Sequence, residues 1–143
     1  MGWPILGATI HGEAEDLLPE KKESYDVVTC LEAIEHVPDP QQLVKTCSDL
    51  CKPGGTIVFS TINRNPKSFL FAIIGAEYIL NLLPKGTHEF KKFLKPSELS
   101  NMMRNSNLEV KEIIGMSYNP LTKKYWLGKN VDVNYMIHAE KSK

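Results

Sequence analysis

Apolar runs alternate along the chain with polar stretches that contain proline or glycine, and this pattern predicts alternating strands and helices. The first predicted strand covers residues 8–12, and an acidic stretch separates it from a second strand at residues 25–30. The second strand, YDVVTC, is apolar at nearly every position. Such continuity is typical of a central parallel strand that helices cover on both sides.

A helix with clear end signals is predicted after the second strand. Asp39 is a suitable N-cap and Pro40 suits the first turn. The segment KPGG at residues 52–55 ends the helix, and residues 56–62 form the next buried strand. The apolar positions that recur at helical spacing are Leu43, Val44, Cys47, Leu50 and Cys51. Strand, helix and strand together make the unit that builds a right-handed parallel pair.

The remaining pattern predicts a second helical region and two closing strands. An apolar segment at residues 69–83 follows Asn65 and Pro66, and a helix begins near Pro96 and Ser97. Strands at residues 108–116 and 131–140 are joined by the loop SYNPLTKKYWLGKN. The apolar residues that the helix buries are Leu99, Met102 and Met103. The fold class is therefore α/β, with helices flanking a largely parallel sheet and ligands beyond the carboxyl ends of the strands.

Composition narrows the class of protein. The chain has 143 residues, of which 42% are hydrophobic and 24% charged, which excludes a disordered chain and a disulfide miniprotein. Seventeen basic residues balance seventeen acidic ones, so no overall field favours nucleic acid. The three cysteines, Cys30, Cys47 and Cys51, indicate buried thiols in a reducing compartment, although Cys47 and Cys51 could also hold a metal from one helix face.

The sharpest candidate site is the segment LEAIEH, which directly follows the second strand. If the chain turns helical at once, Glu32, Glu35 and His36 share one helix face, and two carboxylates and an imidazole suit Mg²⁺, Mn²⁺ or Zn²⁺. The alternative is that Glu35 and His36 solvate a loop before Pro38.

Several segments carry a family resemblance. YDVVTCLEAIEHVPDP, LCKPGGTIVFSTINRNPKS, GAEYILNLLPKGTHEFKKFLKPSEL, GMSYNPLT and VDVNYM resemble the ubiquinone-biosynthesis O-methyltransferases, a family of class I S-adenosylmethionine-dependent enzymes. TINRNPKS, GAEYIL and PKGTH are the most specific segments, whereas YDVV, HVPDP and KPGG occur in many class I methyltransferases. The resemblance implies methylation of a polyprenylated catechol with S-adenosylmethionine as the donor.

The resemblance also implies roles for individual residues. Glu32, Glu35 and His36 match the family's metal ligands, with Mg²⁺ as the expected ion, and Leu31 lines the methyl-donor pocket. A divalent ion would lower the pKa of a catechol hydroxyl, which is near 10 in a free phenol.

Three further positions leave alternatives open. Ala14 and Glu15, in GEAEDL, match a segment that contacts the adenine of the donor, but an acidic loop can also simply be solvated. His88 is the candidate for proton transfer or substrate orientation, and a surface or core histidine is the alternative.

The resemblance begins at about the family's third strand. The first strand, its glycine-rich turn and the donor-binding acidic residue after the second strand have no counterpart, so residues 1–143 are predicted to be the distal part of a methyltransferase domain. We expect weak or no donor binding by the isolated chain. A catalytically inactive fragment that binds a membrane or a partner is the alternative function.

Residues 65–96 are predicted to form a lid or a membrane-contacting insertion. The apolar stretch 69–83 would reach only roughly 23 Å as a helix, short of the ~30 Å hydrocarbon core. Residues 63–96 carry six basic and two acidic side chains, which suits an anionic membrane surface.

The expected partners are a lipophilic polyprenyl catechol, a membrane surface and a multi-enzyme quinone-biosynthesis complex. The expected location is the matrix side of the mitochondrial inner membrane, or alternatively the bacterial cytoplasm or inner-membrane surface.

Overall fold

The computed structural model describes residues 12–68, 90–119 and 122–143, which contain one five-stranded sheet. The strands are β1 (Tyr25–Leu31), β2 (Cys51–Ile62), β3 (Leu108–Asn119), β4 (Lys124–Gly128) and β5 (Asn134–Lys141). The α-helices are α1 (Leu18–Lys21), α2 (Pro40–Leu50), α3 (Pro66–Ser68) and α4 (Pro96–Arg104). Short 3-10 helices cover Ala14–Leu17, Ile34–His36 and Phe90–Lys92.

The sheet is mixed rather than largely parallel. Its order is β1-β2-β5-β3-β4, and only β1 and β2 pair in parallel. The other three pairings are antiparallel, so the predicted α/β class is confirmed, but the predicted parallel direction is wrong for β4 and β5. The reason is connection length, because a short loop joins β3 to β4 and only a crossover such as α2 can join parallel neighbours. The carboxyl ends of β1, β2 and β3 nevertheless meet at one edge of the sheet.

Helix α2 forms as its end signals predict. The carboxylate of Asp39 accepts a hydrogen bond from the backbone N–H of Gln42 at 3.0 Å, and Pro40 occupies the first turn. The predicted helix that begins near Pro96 is α4, which buries Leu99 and Met103 completely and Met102 in part.

Helix α2 ends at Leu50, just before the segment KPGG, but that segment lies within β2 rather than ahead of it, so the strand begins earlier than predicted. The helix ends because Cys51 adopts an extended conformation, and β2 starts at that residue. Tyr25 pairs with Cys51 and Val27 with Thr56, so residues 52–55 form a bulge within β2. A Cβ atom on Gly55 would lie 2.6 Å from the sulfur of Cys51, so the bulge requires glycine there.

The hydrophobic core lies between one face of the sheet and helices α2 and α4. Ile57, Phe59, Ile137 and Ala139 line that face. The helices contribute Val44, Cys47, Leu99 and Met103. All three cysteines are buried free thiols, as predicted. Both helices therefore cover the same face of the sheet.

Strand β1 is less buried than its sequence predicts. Cys30 faces the core, but Val27 is 58% exposed and Leu31 52% exposed. Within the described residues, β1 lies at the end of the sheet and pairs only with β2. Alternate side chains of the strand point away from α2 and α4, and no described element covers them, so the prediction of burial on both faces is wrong for this part of the chain.

The predicted loop between the last two strands is largely a β-hairpin. Strand β3 continues past Met116 to Asn119, and β4 lies within the segment predicted as a loop. Lys, Tyr, Trp and Leu at positions 124–127 include strong strand formers, and this signal outweighs the flanking polar residues. The following segment packs closely, since a Cβ on Gly115 would lie 1.7 Å from the carbonyl oxygen of Asn130.

Two predicted elements cannot be compared. The strand at residues 8–12 and the apolar segment at residues 69–83 lie outside the described residues, except for Gly12. In the part of the chain that is described, no helix has both the length and the apolar character needed to span a bilayer.

Candidate functional site

The first part of the candidate site is the turn at the carboxyl end of β1. Glu32 has a backbone φ of 51°, in the left-handed region that a residue with a side chain rarely adopts. Its N–H donates to the backbone oxygen of Ser60 at 3.0 Å and lies 3.1 Å from Ser60 Oγ. Ser60 Oγ in turn donates to Glu32 Oε1 at 2.7 Å. Strand β2 therefore holds the strained residue in place, as is common at functional sites.

The second part is a buried carboxylate one turn further on. Glu35 lies in the 3-10 helix Ile34–His36 and is only 3% exposed. Its Oε2 accepts a hydrogen bond from Thr61 Oγ1 at 2.8 Å. Its Oε1 is buried and has no hydrogen-bond partner among the described residues. Because burial of an unpaired carboxylate oxygen is unfavourable, this atom is a candidate ligand-binding group.

The expected metal site is not assembled in this conformation. The chain does not turn helical at once, because Glu32 is left-handed and the 3-10 helix starts only at Ile34. Glu35 points into the protein, whereas Glu32 and His36 are exposed. Within the described ranges, no three His, Cys, Asp or Glu side chains are arranged to hold a metal ion. The one-face geometry is therefore wrong, and the assignment of a metal to these three residues stays a prediction from the resemblance.

The residues predicted to bind the methyl donor lie in two places. Leu31 is half exposed at the end of β1, directly before Glu32. Ala14 and Glu15 begin the 3-10 helix Ala14–Leu17, and Oε1 of Glu15 accepts a hydrogen bond from Thr46 Oγ1 at 3.1 Å. Glu15 thus anchors its segment to helix α2, and its role toward adenine stays a prediction.

Of the predicted insertion at residues 65–96, the structure describes residues 65–68 and 90–96. His88 lies outside the described residues, so its catalytic role stays a prediction. At the start of the insertion, Arg64 forms an ion pair with Glu98, and Lys67 forms one with Asp132 at 2.7 Å. Two of the six basic side chains in residues 63–96 are thus paired with acidic residues from outside that range.

The polar residues at the end of β2 were not identified from the sequence. Ser60, Thr61 and Asn63 are buried, and the first two hold Glu32 and Glu35. Asn63 donates from Nδ2 to the carbonyl oxygen of Val131 at 2.9 Å, and its N–H donates to Val133 O at 2.7 Å. The available signal was the run of polar residues that closes an otherwise apolar strand, IVFSTIN.

A buried tyrosine lies below these carboxylates. Tyr135 on β5 is fully buried and donates from its hydroxyl to the carbonyl oxygen of Leu94 at 2.8 Å. Burial raises the pKa of Tyr135 far above its usual range, and the negative charges of Glu98, Glu35 and Glu32 raise it further. The tyrosine is therefore a neutral hydrogen-bond donor at physiological pH.

The fold and the acidic turn together define a class of protein. A sheet with a parallel pair at one end carries a polar site at the carboxyl ends of its strands, which is where open α/β domains bind their ligands. A family model described as a methyltransferase domain matches residues 5–113. The chain belongs to this methyltransferase family.

Relatives with a high sequence identity to this chain share the name of one specific enzyme. The chain is 61% identical over 128 residues to a ubiquinone biosynthesis O-methyltransferase of Acinetobacter baumannii, strain AYE, covering 90% of this chain and 54% of the relative. It is 63% identical over 131 residues to the enzyme of that name from Marinobacter nauticus, covering 92% and 54%. The enzyme of that name from Pseudomonas syringae pv. tomato is 64% identical over 126 residues, with coverage of 88% and 54%. The chain thus spans about half the length of the curated relatives it matches.

Solved structures support the same fold. A SAM-dependent methyltransferase from Thermotoga maritima superposes with a TM-score of 0.65 at 26% identity, covering 92% of this chain and 62% of that one. One from Methanosarcina mazei superposes with a TM-score of 0.55 at 19% identity, covering 85% and 61%, which shows the fold alone. The sequence-based assignment to a class I methyltransferase fold is confirmed.

Proposed function

We propose that this chain forms the acceptor-side half of an S-adenosylmethionine-dependent O-methyltransferase that methylates a lipophilic, polyprenylated catechol in ubiquinone biosynthesis. The observation that carries the proposal is the pair of carboxylates beyond β1. Glu32 is held in a strained turn by Ser60, and Glu35 keeps one buried oxygen without a partner in the described part of the chain. The names of the bacterial relatives support O-methylation in ubiquinone biosynthesis.

The chemistry requires a positioned acceptor oxygen. The reaction forms an O–CH₃ bond as the S–CH₃ bond of the sulfonium breaks, and the hydroxyl proton leaves. Carboxylates at this edge can accept hydrogen bonds from catechol hydroxyls, which orients one oxygen toward the methyl group and favours loss of its proton. Leu31 provides an apolar surface beside that position. His88 is the proposed proton acceptor or orienting group.

A divalent metal is a further part of the proposal that rests on the resemblance. The unpartnered oxygen of Glu35 is a suitable ligand atom, but the described conformation shows no three-ligand set. Glu32, Glu35 and His36 would hold the ion, and a bound Mg²⁺ would lower the pKa of a catechol hydroxyl.

Location and partners follow from the proposed substrate. A polyprenyl chain partitions into lipid, so we propose that residues 65–96 contact the membrane surface where the substrate resides. The matched relatives are bacterial, which supports the inner-membrane surface of a bacterium rather than a mitochondrion. A multi-enzyme quinone-biosynthesis complex is a proposed partner, and the balanced net charge gives no reason to propose nucleic acid.

A chimera tests the proposed activity. The part of the Acinetobacter baumannii relative that precedes its matched region is joined to this chain and assayed with labelled S-adenosylmethionine and a short-tailed prenyl catechol. We expect methylation by the chimera and a loss of at least about a hundredfold in its Glu35→Gln variant. Glu20→Gln, an exposed acid on α1, is the matched control. A folded chimera without activity, beside an active relative, would contradict the proposal.

The exposed apolar residues of strand β1 support a second candidate function, which is binding without catalysis. Val27 and Leu31 are exposed on a strand that pairs on one side only within the described residues, and such an edge can accept another strand. Isothermal titration of the chain with S-adenosylmethionine separates the two functions. We expect no binding in the micromolar range by the chain alone, and micromolar binding would show that it already contains a donor site.

A further inference from the structure

We propose that the β3–β4 hairpin is a membrane-docking arm that binds the surface of an anionic lipid bilayer. The hairpin arm is defined as residues 117–119 and 122–129. This proposal deepens the proposed function, because it adds a lipid-binding surface to an enzyme of lipophilic substrates. Vesicle binding, measured without donor or catechol, tests it separately from methyl transfer.

The arm projects beyond the rest of the sheet. Strand β5 pairs with β3 only as far as Met116, opposite Asn134. Beyond that point β3 pairs with β4 alone, from Ser117 opposite Trp126 to Asn119 opposite Lys124. The arm therefore extends past the carboxyl edge of the sheet, the same edge that carries Glu32.

Both faces of the arm expose large apolar side chains. Tyr118 and Tyr125 are direct partners on one face, with ring centroids 4.4 Å apart. Tyr125 is 68% exposed and Leu127, on the same face, 58% exposed. Trp126, on the opposite face, is 52% exposed. A cluster of this kind on a projecting arm indicates an interaction site rather than packing of the arm against its own domain.

The composition of the arm fits a membrane interface. Tyrosine and tryptophan are the side chains enriched where a bilayer meets water, because each combines an apolar ring with a polar group. Lys123, Lys124 and Lys129 are exposed, and they form no ion pair within the described ranges. From position 113 to position 131 the sequence contains no acidic residue. Positive charge beside apolar rings favours anionic lipid headgroups.

The same charges disfavour a second copy of the chain as the occupant. Strand β4 is the outer strand of the described sheet, and its edge could in principle pair with another β4. Such pairing would bring the lysines of both copies together, and like charges at close range are repulsive. An anionic surface instead neutralises them.

The arm is tied to the start of the predicted insertion. Asn63 and Asn65 donate from their side-chain amides to the carbonyl oxygens of Val131 and Asp132, at 2.9 and 2.5 Å. Lys67 pairs with Asp132 at 2.7 Å. The link between β4 and β5 therefore positions the arm against the segment that leads from β2 into the insertion. A bilayer that meets the arm lies at the end of the sheet where the carboxylates are.

Tryptophan fluorescence tests the proposal on the intact arm. In a Trp3→Phe chain, Trp126 is the remaining tryptophan. We expect its emission to shift to shorter wavelength with vesicles that contain about 30% phosphatidylglycerol, and to be quenched by brominated lipid, but not with phosphatidylcholine alone. An unchanged emission maximum in the anionic vesicles would overturn the proposal.

Vesicle co-sedimentation of variants tests the charges and the apolar side chains. Lys123→Glu, Lys124→Glu and Lys129→Glu together should weaken binding by at least about tenfold, and Trp126→Ser with Leu127→Ser should do the same. The matched charge control is Lys21→Glu, Lys22→Glu and Lys143→Glu, three exposed lysines elsewhere. Val27→Ser is the control for an exposed apolar residue. Both controls should bind as the unsubstituted chain does.

Other occupants give different results, each of which would overturn the proposal. Binding that depends only on Lys91, Lys92 and Lys95 would assign the membrane contact to the insertion. Dimerisation abolished by Trp126→Ser, without vesicle binding, would assign the arm to a second copy. Binding of single-stranded RNA, again without vesicle binding, would assign the aromatic rings to base stacking.

Discussion

Thr61 and Glu35 form a buried pair at the carboxyl edge of the sheet, in which Thr61 Oγ1 donates to Glu35 Oε2 at 2.8 Å. Thr61 is fully buried, and the second carboxylate oxygen has no partner among the described residues. A single hydroxyl therefore compensates a buried carboxylate, which makes the pair a sensitive point for stability. The arrangement is one that a purely structural site would avoid, because a second donor would stabilise it.

Replacement of Thr61 by valine should destabilise the chain. The substitution keeps the shape and removes the donor, so we expect the free energy of unfolding to fall by about 2–3 kcal/mol, the usual effect of leaving a charged partner unsatisfied. Thr61→Ser keeps the hydroxyl and loses one methyl, so it should reduce that free energy by only about 1 kcal/mol. Urea unfolding followed by circular dichroism measures both. A valine variant as stable as the serine variant would show that the hydrogen bond contributes nothing.

The unpartnered oxygen of Glu35 leads to a prediction about metal ions. If Glu32, Glu35 and His36 bind an ion, then Mn²⁺ supplies the missing partner and stabilises the folded state by mass action. We expect Mn²⁺ at about 100 times its dissociation constant to raise the free energy of unfolding by about 2.7 kcal/mol. Glu35→Gln should lose this stabilisation, and Glu20→Gln should keep it. Equal effects of Mn²⁺ on both variants, reversed by EDTA, would indicate binding elsewhere.

Two glycines that pair across the β3–β4 hairpin should respond oppositely to alanine. A Cβ on Gly115 would lie 1.7 Å from the backbone oxygen of Asn130, whereas a Cβ on Gly128 would meet no atom within 4 Å. Gly115→Ala must displace backbone, so we expect a loss of at least about 3 kcal/mol in the free energy of unfolding. Gly128→Ala should be neutral or stabilise by up to about 1 kcal/mol, because it restricts the unfolded chain.

The same urea measurement tests the packing of the Asn130–Val131 link. A Gly115→Ala chain that unfolds like the Gly128→Ala chain would show that the link does not pack against β3. Because Gly115→Ala perturbs the base of the hairpin arm, it should also weaken vesicle binding. Gly128→Ala should leave vesicle binding unchanged.

The sequence predicts those structural features that depend on neighbouring residues, and it does not predict those that depend on contacts between residues distant in the chain. Helix α2 follows from Asp39, Pro40 and the spacing of its apolar residues, all of which act within one turn. The left-handed Glu32 could not be predicted, because its conformation depends on Ser60, which is 28 residues away in sequence. The exposure of Val27 could not be predicted either, since burial on the second face of β1 depends on which element covers it.

In the candidate site, the positions of the residues could be predicted from the sequence, but their orientations could not. The sequence locates Glu32, Glu35 and His36 after a strand, because polar residues at the end of an apolar run are a local signal. Their mutual orientation depends on the register between β1 and β2, in which Leu31 lies opposite Ser60. That register places Ser60 and Thr61 beside the two carboxylates, and it turns Glu35 inward.

The buried thiol of Cys51 predicts a loss of stability at alkaline pH. Burial raises its pKa. Cys30 and Cys47 share a hydrogen bond that lowers the pKa of Cys30 and raises that of Cys47, so their contributions oppose each other. An unfolded thiol has a pKa of about 8.5, so above that pH the unfolded state releases the Cys51 proton that the folded state retains. This stabilisation is complete below about pH 8.5 and is lost as the pH rises above it, with a slope of at most about 1.4 kcal/mol per pH unit.

Urea unfolding between about pH 7 and pH 9.5, under reducing conditions, measures this decline. Cys51→Ala should be less stable at pH 7, because it leaves a small cavity, but should lose less stability on going to pH 9.5. Parallel pH profiles for both chains would mean that the Cys51 thiol ionises as readily in the folded state as in the unfolded state.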